Sequence, residues 1–74
     1  MKEKTYKLIA DIADEDIQGD GQRLKEDLGL DSLGLVTLLI EIEDDFDIVI
    51  NESDLDPTSL VTVGDIVELV GRYV

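Results

Sequence analysis

The chain has no cysteine and no histidine in its 74 residues. Without cysteine there are no disulfides and no thiolate metal sites. Without histidine the commonest general base, the commonest zinc ligand and any Ser–His pair are missing. An enzyme built from this inventory would run on carboxylates alone. Positive charge is scarce as well: six Lys and Arg stand against 19 Asp and Glu, a net charge of −13. Lys2, Lys4 and Lys7 outweigh Glu3 near the start, and no basic residue lies between Lys25 and Arg72. Such a surface repels nucleic-acid phosphates and anionic lipid heads, whose binding rests on Lys and Arg. It draws proteins with basic docking faces, mainly by speeding encounter. No apolar run approaches membrane-spanning length, and charges occupy the start where a signal peptide needs an apolar stretch. A cytoplasmic protein is expected.

Apolar residues make up 43% of the chain, too many for a disordered segment. The length suits one domain with a single modest core, residues 1–74. The spacing predicts a first helix from about Lys2 to Ala13, with Tyr6, Ile9, Ala10 and Ala13 on its buried face. A long loop follows, broken by Gly19, Gly21 and Gly29 and pinned to the core by Ile17, Leu24 and Leu28. The second helix runs from Ser32 to about Phe46, where Leu35, Leu39, Ile42 and Phe46 make a core stripe that Leu38 widens. Ile48 and Ile50 alternate like an extended segment. Asp56 and Pro57 open a very short third helix ending near Leu60, and Thr62 with Asp65 caps a fourth. Its buried face is Val63, Ile66, Val67, Val70 and Tyr73 or Val74. The expected fold is all-α, a small four-helix bundle of three main helices plus the short third one.

A second apolar stripe on the second helix, Leu33, Val36 and Ile40, is not easily buried together with the first, the alternative being one broad stripe buried all round. It is expected to be at least partly exposed, as a partner-binding edge. Calcium binding is the first site to weigh. Asp14, Asp16, Gln18 and Gly19 fit the opening of an EF-hand loop, but Lys25 stands where the bidentate Glu belongs. A cation at that position defeats the site. Glycosidase-like carboxylate chemistry fares no better, because nothing sets two acids around a cleft. Glu41, Glu43, Asp44 and Asp45 read as a solvated helix face.

Ser32 remains. It lacks any base to take its proton, so it is no self-activated nucleophile. It is either a plain helix start or an acceptor modified by another enzyme. A phosphodiester there would sit at a helix N-terminus, where free N–H groups and the dipole favour negative charge. Gly34 leaves the approach to the backbone open.

The segment "DLGLDSLGLVTLLIEIEDDFDIVI", residues 27–50, resembles the acyl carrier protein signature, in which D-L-G-x-D-S-L opens the second helix and E-x-x-F closes it. "DLDPTSLVTVGDIVELV", residues 54–70, is similar to the last two helices of stand-alone carriers. The resemblance implies a 4'-phosphopantetheine arm on Ser32, installed from coenzyme A by a phosphopantetheinyl transferase. Asp31 would help that enzyme and its magnesium find the serine. It implies acyl cargo held as a thioester on the thiol of the arm, which supplies the sulfur that the chain lacks. The chain would be a carrier and not an enzyme. It would be a monomer without a resident metal or stable membrane association, serving acyl-loading and acyl-transferring enzymes. Leu33, Val36 and Ile40 would be docking contacts, with Glu41, Glu43, Asp44 and Asp47 steering. The pathway implied is fatty-acid, polyketide or another specialised biosynthesis; fatty-acid carriers commonly read D-S-L-D-x-V-E-L, and here Gly34 and Thr37 replace the two later acids, which makes a dedicated pathway such as polyketide, amino-acid or lipid assembly more plausible. The competing expectation, from a different class, is an unmodified acidic interaction module.

Overall fold

The computed structural model describes residues 2–56 and 58–74. Three α-helices form the body: α1 Lys2–Ala13, α2 Ser32–Phe46 and α3 Val63–Gly71. A 3₁₀ turn at Glu52–Asp54 interrupts the second connection. No strand occurs among the described residues, and α1 packs against both α2 and α3. The core gathers Ile9 of α1, Leu35, Leu38, Leu39 and Ile42 of α2, and Val63, Ile66, Leu69 and Val70 of α3.

On α1 the buried face is broader than the expected one. Thr5 and Ile9 are fully buried, and the half-buried Tyr6, Leu8, Ile12 and Ala13 all pack against the core. Apolar spacing passes over Thr5 because it is polar. The Tyr6 ring lies at the flank so that its hydroxyl can donate to Asp20. On α3 Leu69 joins the core and Val74 is exposed.

The long loop is anchored as expected by Leu24 and Leu28, and by Leu30 in addition. It is also stitched to the start of α3. The Leu24 N–H donates to the Val61 carbonyl at 2.8 Å, and the Val63 N–H to Gln22 at 2.9 Å. Residues 23–30 coil into a turn that closes with Leu30 N–H on the Leu24 carbonyl, 2.8 Å, and with Gly29 at φ 69°. Glycine adopts that left-handed conformation at no steric cost. Asp14, first of the calcium-like acids, ends α1 in a left-handed conformation, and no set of three or more acids among the described residues gathers to hold a metal.

The short third helix differs from expectation. The 3₁₀ turn falls earlier, where the Tyr73 hydroxyl accepts from the Asn51 N–H at 3.0 Å and donates to Asp54. A tertiary tie therefore sets its position, which local spacing does not register. Asp56 still organises a single turn: its carbonyl accepts from Ser59 and Leu60, and its carboxylate from the Thr58 N–H at 3.0 Å. Pro57, the expected first residue of that helix, lies outside the described residues. The capping box of α3 is present in full, with Asp65 N–H on Thr62 Oγ1 and Thr62 N–H on the Asp65 carboxylate.

Candidate functional site

Asp31, rather than Ser32, caps α2. It is extended (φ −82°, ψ −172°), and its Oδ1 accepts from the Gly34 N–H at 2.8 Å. Its carbonyl takes the first helical bond, from the Leu35 N–H at 2.9 Å. With the cap provided by its neighbour, Ser32 occupies the first helical position with an exposed side chain. Its hydroxyl makes no hydrogen bond among the described residues. The alcohol is thus held at a helix N-terminus and left free.

Beside it lies a hollow of about 310 Å³. Leu24, Leu30, Leu35 and Leu60 are its apolar lining, and Ser32, Asp31, Arg23 and Lys25 line it as well. Arg23 is already engaged: its guanidinium meets Glu26 at 2.6 Å, which raises its pKa further, and its backbone N–H donates to the Asp27 carboxylate at 2.8 Å. At Gly34 a Cβ would come within 3.2 Å of a Leu30 methyl, so a side chain there would press on the wall of the hollow.

The outer edge of α2 is apolar and open. Leu33 is 75% exposed, Val36 52% and Ile40 53%. The four acids expected to steer are differently disposed. Glu41 and Asp44 are exposed, and Asp47 ends the helix in a left-handed conformation at φ 54°. Glu43 is half-buried, and its carboxylate accepts from the Ile50 N–H at 2.9 Å, latching the following segment to the helix. Thr37, at a position where carriers commonly have an acid, turns its hydroxyl back onto the Leu33 carbonyl at 3.0 Å. Sequence reasoning missed the latch, and an Asp–Ser pair at a helix start leaves open which of the two is the cap.

A family model described as the phosphopantetheine attachment site matches residues 4–70. The chain belongs to the acyl carrier protein family. It is 37% identical over 70 residues to an acyl carrier protein of Exiguobacterium sp. (strain ATCC BAA-1283 / AT1b), covering 95% of this chain and 78% of that one. Its fold is similar to the solved structure of a Mycobacterium tuberculosis protein assigned as an acyl carrier, with a TM-score of 0.84 and 38% identity. That match covers 96% of this chain and 95% of the other. Acyl carrier proteins are carriers, not catalysts, and their cofactor is phosphopantetheine. The residues present fit that group. A primary alcohol without hydrogen-bond obligations stands beside an apolar hollow, at a helix start that tolerates a phosphate. No helix among the described residues is long and apolar enough to cross a membrane.

Proposed function

We propose that residues 1–74 are a single carrier domain whose phosphopantetheine arm is attached through Ser32 and holds acyl or related intermediates as thioesters between partner enzymes. The observation that supports this most directly is the division of labour at the start of α2: Asp31 accepts from Gly34 and leaves the Ser32 hydroxyl exposed and unbonded. The arm, when attached, supplies a thiol to a chain without cysteine. The chain's own part is to present Ser32 to a phosphopantetheinyl transferase, with Asp31 as the neighbouring acid that this enzyme and its magnesium recognise.

Partners dock on Leu33, Val36 and Ile40, and the exposed acids Glu41, Asp44 and Asp47 guide basic faces toward that edge. With Gly34 and Thr37 in place of acids, the first half of α2 presents no carboxylate of its own. This favours a dedicated biosynthetic system over general fatty-acid synthesis. The setting proposed is cytoplasmic and the carrier monomeric.

Incubation of the purified chain with coenzyme A, magnesium and a broad-specificity transferase is expected to add one arm, read by intact mass. Ser32→Ala is expected to add none. Equal labelling of the variant would place the attachment elsewhere. No labelling by any transferase, together with binding to a basic partner, would favour the unmodified interaction module. Ile40→Asp is expected to slow loading by a partner enzyme at least about tenfold with its melting temperature little changed, since exposed substitutions stay within about 0.5 kcal/mol. A normal loading rate would remove this edge from the docking face.

A further inference from the structure

Lys25 stands apart from the other cations around the site. It lines the same hollow as Ser32. Arg23, the other cation there, is held by Glu26 at 2.6 Å, whereas Lys25 enters no ion pair among the described residues. Its backbone is fixed: the Lys25 carbonyl accepts from the Gly29 N–H at 3.1 Å, within the turn that the Leu24–Leu30 bond closes. The Lys25 side chain thus extends from a rigid base among the residues that line the hollow. Attaching the arm to Ser32 would add a phosphodiester anion to a neighbourhood that already contains Asp31 and Glu26. In so acidic a chain an added anion is opposed by its surroundings, and a nearby uncommitted cation relieves that opposition.

We infer that Lys25 is a positioning residue for the arm. Its ammonium pairs with the phosphodiester on Ser32 and holds the root of the arm over the hollow walled by Leu30, Leu35 and Leu60. This inference rests on the Ser32 reading. A lysine makes a point contact of this kind with a phosphate without the fixed fork of an arginine, so the root is held while the chain beyond it keeps its freedom.

The test uses the arm-bearing protein, prepared with coenzyme A and a transferase and checked by intact mass for a single arm on Ser32. In the wild type the ³¹P resonance is expected to be displaced from that of a free pantetheine phosphodiester. Lys25→Met is expected to return at least half of that displacement, and Lys25→Arg to keep most of it. Contacts between the arm's methyl groups and the Leu35 or Leu60 methyls, read as NOE intensities, are expected to fall at least twofold in Lys25→Met. An amide spectrum that matches the wild type away from residue 25 would show that the variant is folded. If the arm is on Ser32 and the ³¹P resonances of wild type and Lys25→Met coincide, the inference is overturned. If Lys25 responds only when a cargo bearing a carboxylate is loaded, it reads the cargo rather than the arm, and the inference is likewise overturned. Failure of the mass check at Ser32 would instead bring down the attachment reading itself.

Discussion

Asp31 has one observed duty and one proposed, and each follows from a different property of its side chain. As a cap it needs an oxygen that accepts from the Gly34 N–H, and asparagine supplies one equally well. As a neighbour of the serine proposed to carry the arm, it would act through its negative charge. Asp31→Asn is therefore expected to melt within a few degrees of the wild type while arm transfer slows markedly. Asp31→Ala is expected to lose both, with about 1 kcal/mol of stability gone with the cap. Thermal melts and transfer kinetics on the two variants separate the roles. Equal transfer rates in wild type and Asp31→Asn would leave Asp31 a cap alone. Glu43 shows the opposite case: its charge suggests steering, yet its carboxylate is tied to the Ile50 N–H. Sequence pattern identifies the acid but not the direction in which it points.

Among the elements, α2 and α3 were the most legible. Four-three-four spacing of Leu35, Leu39, Ile42 and Phe46 gives α2, and the crowding of a second stripe foretells the exposure of Leu33, Val36 and Ile40. For α3 the Thr62–Asp65 pair states its own start. Thr62→Ala removes one half of that box and is expected to cost about 1 kcal/mol, lowering the melting temperature by about 4–8 °C in a domain of this size. An unchanged melt would mean that Asp65 alone secures the start of the helix. The connections were less legible because their geometry is set from a distance. Tyr73, 19 residues away in sequence, fixes Asp54 and with it the 3₁₀ turn. The buried face of α1 includes a threonine that no apolar pattern marks. The hollow beside Ser32 was equally invisible, since Leu24, Leu35 and Leu60 come from three separate segments.

At the scale of the whole molecule, acid and salt act through different sets of charges. Asp65 is held below the ordinary carboxylate range by the backbone N–H groups of Thr62 and Val61, Asp56 by Thr58, and Asp20 by the Tyr6 hydroxyl with help from Lys2. A carboxylate lowered in the folded state contributes stability above its unfolded value, about 3.9. That contribution disappears as pH falls through the lower folded value. Denaturation at a series of pH values from 5 to 2 is expected to show stability declining over this window, with a shallower decline in Asp65→Asn. An identical decline would exclude Asp65 from the acid response. Four of the six cations are engaged within the fold. Lys2 pairs with Asp20, Arg23 with Glu26, and Arg72 with Asp54 and Glu68. Lys4 donates to the Asp45 carbonyl at 2.9 Å and lies 4.8 Å from the Phe46 ring. Salt or millimolar magnesium is expected to raise the melting temperature by screening the remaining repulsion. A flat response would show that the charges are too dispersed to strain the fold. With a net charge of −13 and four of its six cations already engaged by its own groups, the molecule shows its own copies a mainly negative exterior. Light scattering is accordingly expected to give a positive osmotic second virial coefficient at low ionic strength, shrinking as salt is added. A carrier of this kind is expected to stay dispersed at high concentration, so that the supply of arms scales with the number of molecules.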